Sequence, residues 1–140
     1  MTAVESTEAS LTIRRTIDAP IERVFQALTD PAELARWYGG DLMDVEFHDV
    51  EAVPGGAFSF TMRDDDEVYD FDCEFLDVVE NKRIVHSWYV GQVRYELVEI
   101  DGGTEVTLTH DGLPDRGTTE LHTEGWIDAI EKLETVLKKS

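Results

Sequence analysis

The chain predicts an α+β domain: a curved antiparallel sheet wrapped around one long C-terminal helix, with two short helices after the first strand. Three observations carry this expectation. Between Thr104 and Lys139 an alternating segment (Val106, Leu108, His110) passes through a polar turn into a helix. Its Trp126, Ile130, Leu133 and Leu137 form one apolar stripe opposite acids and lysines. A single helix can bury such a stripe only against something large and apolar. Upstream, most segments are short, alternate with period two and end at Gly-, Pro- or Asp-rich turns, as in an antiparallel meander. Two helical segments directly after the first strand would plug one end of that sheet.

Taken in order, residues 1–10 (MTAVESTEAS) are expected to be a flexible lead-in to a single domain over 11–140. Leu11, Ile13 and Ile17 share one face of the first strand. Asp18-Ala19-Pro20 reads as a helix entry, with Asp18 or a neighbour capping and Val24, Phe25 and Leu28 buried. Thr29-Asp30-Pro31 starts a second short helix carrying Leu34 and Trp37, which Gly39-Gly40 ends. Strands follow. Met43, Val45 and Phe47 alternate before the Pro54-Gly55-Gly56 turn, then Phe58, Phe60 and Met62 lead to a hairpin tip at Asp64-Asp65-Asp66. Tyr69, Phe71, Cys73 and Phe75 form the clearest inward face. Ile84 to Val90 is apolar on both faces, and Val93, Tyr95 and Leu97 alternate up to Asp101-Gly102-Gly103.

Composition narrows the function classes. An apolar content of 41% with 9% aromatics supports a packed core. The net charge of −19 excludes nucleic acid and anionic membranes as partners, since both are bound through Lys and Arg. Lysine is confined to Lys82, Lys132, Lys138 and Lys139, and the acids are scattered. This pattern suits a high-salt cytoplasm, where the screening length falls to about 3 Å at molar salt; an ordinary acidic cytosolic protein is the alternative. The N-terminus has neither a basic segment nor an apolar one, and no run approaches the roughly 20 apolar residues of a membrane span. A cytoplasmic location is expected. The lone Cys73 lies in register with the inward aromatics, as a buried inert thiol would.

The ordered set Ile17-Asp18-Ala19-Pro20, Val24-Phe25, Leu28-Thr29-Asp30-Pro31, Trp37, Pro54-Gly55-Gly56, Leu108-Thr109-His110 and Gly125-Trp126 resembles the homologues of the heat shock protein 90 ATPase activator. Those belong to the START-like (SRPBCC, helix-grip, birch-pollen-allergen-like) superfamily. The resemblance spans about Leu11 to Leu137. It implies a bent sheet gripping the C-terminal helix, with a mostly apolar cavity between them. It does not imply a reaction, because the superfamily includes lipid carriers, cyclases, hydrolases and co-chaperone modules.

Candidate site residues follow from the expected cavity. Trp37, Phe60, Tyr69, Phe71, Trp88, Tyr95 and Trp126 could wall a planar ligand, with the Tyr69 and Tyr95 hydroxyls as polar contacts. His122 shares the inward helix face with Trp126, and His110 shares the face of Val106 and Leu108. Together the two are weak candidates for a catalytic acid and base; hydrogen bonding at element ends is the competing account. His86 shares a strand face with Trp88 and could line the cavity, and His48 is expected to be exposed. Arg15 falls on the apolar face of the first strand. It must either meet a carboxylate or ligand anion, or snorkel to solvent, and snorkelling is the expectation.

No His and Cys spacing matches a zinc site, and Asp64-Asp65-Asp66 lacks the pattern of a calcium loop. The paired glycines fit neither dinucleotide nor phosphate loops, so no metal and no cofactor is expected. Three readings remain: a protein that binds a small apolar or aromatic molecule, a cyclase- or hydrolase-type enzyme, and a chaperone-associated interaction module. A monomer or homodimer is expected in each case. The eukaryotic activator, as the resemblance implies, uses a second domain absent here, which counts against the third reading.

Overall fold

A computed structural model describes residues 2–138; Lys139 lies outside the described residues. The elements run β1 (Thr2–Ser6), β2 (Leu11–Ile17), α1 (Ile21–Thr29), α2 (Pro31–Leu34), β3 (Asp44–Val50), β4 (Ala57–Arg63), β5 (Val68–Val79), β6 (Arg83–Ser87), β7 (Gln92–Ile100), β8 (Gly103–Asp111) and α3 (Arg116–Lys138). The strands form one antiparallel sheet in the order β1-β2-β8-β7-β6-β5-β4-β3. Beyond the first pair, the sheet is a meander from β3 to β8, and α1 and α2 occupy the connection from β2 to β3.

Alternation sets the inner face. Across the sheet, Leu11, His110, Val93, His86 and Phe75 are successive cross-strand neighbours, and Ile13, Leu108, Tyr95 and Ile84 form the next row. Both rows are buried beneath the helices. The bend comes from β5. Its first half pairs with β4 and its second with β6, and the register slips between Phe75 and Asp77. A bulge of this kind sharpens local twist and turns the sheet over the helix.

The stripe of α3 packs as its spacing predicts: Trp126, Ile130, Leu133 and Leu137 are all buried. At about 25 cal/mol per Å² of apolar surface, side chains of this size each contribute roughly 1.5–3 kcal/mol on burial. Cys73 is buried, and that burial pushes its thiol up from the ordinary value. No helix among the described residues is long and apolar enough to cross a membrane.

Four expectations need correction. Residues within the lead-in are not loose: Thr2–Ser6 is a strand, with Val4 opposite Ile13 on β2. Its sequence lacks a clear apolar alternation, so only the open edge of β2 recruits it. Asp18 does not cap α1. Pro20 is the N-cap, without a side-chain bond, while Asp30 caps α2 by accepting from the Ala32 amide at 2.9 Å. Arg15 does not run to solvent. Its Nη2 and Nε donate to Glu134 on α3 at 2.7 and 3.3 Å, a forked pair that meets the cation within the sheet–helix interface. His86 does not face a cavity; it is enclosed by Phe58, Phe75 and Tyr95.

Candidate functional site

Between the bent part of the sheet and the N-terminal half of α3 lies a cavity of about 730 Å³. The sheet supplies Met62, Tyr69 and Phe71, the bend after β6 supplies Trp88 and Tyr89, and the segment after α2 supplies Tyr38, Leu42 and Met43. From α3 come Leu121, His122, Gly125, Trp126 and Ala129. Its size falls within the usual range for a small-molecule pocket, and its wall is mostly aromatic and aliphatic.

Local chemistry explains how these groups meet. After α2 the chain turns through Gly39 and Gly40 at φ of +79° and +60°, a conformation that favours glycine. Gly40 presses on Asp128 and Ala129 of α3 so closely that a Cβ would collide. Asp128 Oδ2 accepts from the Asp41 amide at 2.8 Å, and Lys132 Nζ donates to the Gly40 carbonyl at 3.1 Å and to Asp41 Oδ1 at 2.8 Å. Tyr38 is thereby fixed against Trp126, with ring centroids 5.7 Å apart. On the sheet side, Phe71 stacks on Trp88 (5.1 Å, 23°) and on Phe60 behind it (4.8 Å, 27°).

Two histidines organise the polar part. His122 Nδ1–H donates to the Thr118 carbonyl at 2.9 Å, one helical turn back. That assigns Nε2 as the acceptor, and it receives Trp88 Nε1–H at 3.3 Å and the Tyr89 hydroxyl at 3.2 Å. His110 lies behind it, ring centroids 5.1 Å apart. Its Nδ1 accepts from Trp126 Nε1–H at 3.1 Å, and its Nε2–H donates to the Val90 carbonyl at 2.8 Å. Burial above all, with nearby His122 adding to it, lowers the His110 pKa to about 4. His110 is thus a neutral group bonded within the core, whereas His122 stands on the cavity wall, where its Nε2 accepts from Trp88 and Tyr89.

The structure brings together Tyr69, Phe71, Trp88, His122 and Trp126 on the cavity wall. It places Trp37, Phe60, Tyr95 and His110 in the packed core behind it. Trp37 uses its indole N–H on the Ala27 carbonyl at 2.8 Å. Tyr95, expected from the sequence to offer its hydroxyl to a ligand, is not part of the cavity lining: its ring sits between His86 and Trp126. The Tyr38 and Tyr95 hydroxyls are buried beside one another, and His86 Nε2 is buried with no hydrogen-bond partner among the described residues. Burial raises the Tyr38 and Tyr95 pKa values, and it lowers that of His86 to about 4. Sequence reasoning misses Tyr38, Leu42 and Tyr89. All three lie outside helices and strands, where periodicity carries no information; the aromatic doublets Trp37-Tyr38 and Trp88-Tyr89 are the available signal. Among the described residues, no three His, Cys, Asp or Glu side chains converge as metal ligands.

Comparison with known proteins places this architecture. A protein of Rhodobacter sphaeroides has a similar structure, with TM-score 0.85, 20% identity and 99% of each chain covered. A protein of Chromobacterium violaceum gives 0.84 at 22% identity, covering 92% of this chain and 96% of its own. One from Nitrosomonas europaea gives 0.83 at 25% identity, covering 96% and 97%. No curated protein matches. The family model described as "Activator of Hsp90 ATPase homolog 1-like protein" matches residues 18–138. With the sheet order, the gripped helix and this match in agreement, the chain belongs to the Activator of Hsp90 ATPase homolog 1-like family, within the helix-grip superfamily.

Proposed function

We propose that the protein binds a small apolar or aromatic molecule in the cavity between the sheet and α3, held by stacking and anchored on His122. The observation that carries this reading is the cavity of about 730 Å³ itself, walled by Trp88, Phe71, Tyr38 and Trp126. A planar guest packs against the existing aromatic cluster of Phe60, Phe71 and Trp88. Its affinity comes chiefly from apolar burial, less the costs of association. A hydroxyl or amine on the guest donates to His122 Nε2 in place of Tyr89, which is 59% exposed and able to swing away.

The test is titration with a panel of planar aromatic molecules, read by tryptophan emission and by melting temperature. Stoichiometric quenching is expected, because Trp88 and Trp126 both line the cavity. Phe71→Trp, which adds volume to the wall, should weaken binding while the fold persists. His122→Ala should weaken guests that carry a donor more than guests that lack one. If no aromatic or fatty-acid ligand shifts emission or melting, the reading fails and a chaperone-associated role, suggested by the family description, leads.

A second reading has one specific observation behind it. The Tyr89 hydroxyl and His122 Nε2, 3.2 Å apart in an apolar cavity, form a pair able to exchange a proton with a substrate. Turnover of a bound molecule that is abolished by His122→Ala would move the protein into the enzyme class.

A further inference from the structure

We infer that the cavity selects an apolar or aromatic cation, such as a hydrophobic ammonium, over a carboxylate or phosphate. The inference deepens the ligand-binding reading above and rests on it. Every formally charged side chain on the wall is an acid: Asp64, Asp70 and Glu124. Neither Lys nor Arg lines the cavity among the described residues. Cations close to the wall in the sequence are paired elsewhere, Arg36 with Glu33 at 3.1 Å, Arg63 with Glu46 at 3.4 Å and Lys132 with Asp41 at 2.8 Å.

The three acids are not equivalent. Asp70 Oδ1 accepts from the Thr61 hydroxyl at 2.7 Å, and Asp64 Oδ1 accepts the Asp66 and Glu67 amides of its own turn at 2.9 and 2.8 Å. Glu124 makes no side-chain hydrogen bond or ion pair among the described residues and is exposed at the mouth, one residue from Gly125 of the wall. It is the carboxylate available to an incoming charge. Around it the chain carries a net charge of −19, and a cleft with low-dielectric walls focuses such a field.

Ligand sign therefore matters twice. A carboxylate entering the cavity leaves its hydration for a wall without a cation and faces repulsion at the mouth. A cation keeps a carboxylate partner at the mouth and meets an aromatic wall that includes Tyr38, Trp88, Tyr89 and Trp126, rings of a kind that attract positive charge. An ammonium also brings N–H donors, one of which can replace the Tyr89 hydroxyl at His122 Nε2.

The experiment compares three ligands with one naphthalene body bearing methylammonium, hydroxymethyl or carboxylate, measured by calorimetry at low salt and in molar potassium chloride. The ammonium should bind about tenfold or more tighter than the carboxylate at low salt, with the alcohol between them. The gap should narrow several-fold in molar salt and in Glu124→Gln, an exposed change that leaves the core intact. If the alcohol binds and the carboxylate binds as tightly as the ammonium, the charge preference is overturned and the cavity remains a binding site. A gap unmoved by both salt and Glu124→Gln overturns the electrostatic basis. Binding of none of the three defeats the ligand-binding reading underneath.

Discussion

The two halves of α3 meet the same sheet and leave different results. Toward the C-terminus, Ile130, Leu133 and Leu137 are buried against β2 and α1, and Arg15 clamps Glu134 at the edge of that contact. Toward the N-terminus, Leu121 is 71% exposed, Gly125 leaves a bare place on the helix, and the facing sheet has bent away at β5. One half is a core and the other is the wall of a cavity. The apolar stripe begins only at Trp126, so the N-terminal turns of the helix bring little that could close their half. The bend of the sheet contributes as well, together with the loop that Asp128 and Lys132 tie to the helix midpoint.

The strongest way to break this comparison is at its boundary. Trp126 belongs to both halves, lining the cavity and donating to His110 from the core side. Trp126→Ala should cost about 3–5 kcal/mol in denaturant unfolding, the range for a large buried aromatic. A loss under about 1 kcal/mol would mean that the cavity continues past Trp126 and that the closed half begins further along the helix.

Acid titration sharpens the same division. His86 and His110 lie in the closed layer, and burial lowers both to about 4 against an ordinary value of 6.5. The unfolded chain takes up protons near the ordinary value and the folded chain refuses them. Stability is therefore full above the ordinary value and is lost as the pH falls toward about 4, by on the order of 3 kcal/mol per histidine. Unfolding midpoints measured at pH steps across that window check the sign. His86→Leu should flatten the slope, and an unchanged slope in that variant would contradict the burial argument.

The smallest effect expected is at the open end. Leu133→Ala should cost about 2–5 kcal/mol, whereas Leu121→Ala, the same truncation at an exposed site, should stay within about 0.5 kcal/mol. Equal costs would show that Leu121 is covered in solution, and the cavity would then have to be closed by something other than this chain.

Much of the closed half is legible in the order of residues alone. Leu133 and Leu137 follow from helical spacing, and the facing pairs Tyr95–Leu108 and Leu97–Val106 follow from two adjacent alternating strands. The Asp64-Asp65-Asp66 hairpin tip is also legible, because acids in a turn between alternating runs have few other uses. Of the cavity wall, Trp88, Phe71 and His122 can be read from parity or helix face. Tyr38 and Tyr89 cannot, since each sits where the backbone has no repeat. Arg15 and Glu134 are 119 residues apart, and nothing local to either names the other.

What the sequence determined by itself is local: the order of strands and helices from Leu11 onward, the stripe on α3, the acidic composition, and the presence of one apolar interior. Periodicity acts over a few residues, and those properties need no more than that. The tertiary structure alone decided which aromatic residues fill the core and which line the cavity, why His110 is buried and neutral behind the wall while His122 stands on it, and that Arg15 finds a carboxylate across the interface. Each of these depends on how far the sheet curves at the β5 bulge and how closely Gly40 lets a loop approach the helix. They are distances between segments remote in the chain, and a pattern along one segment does not contain them.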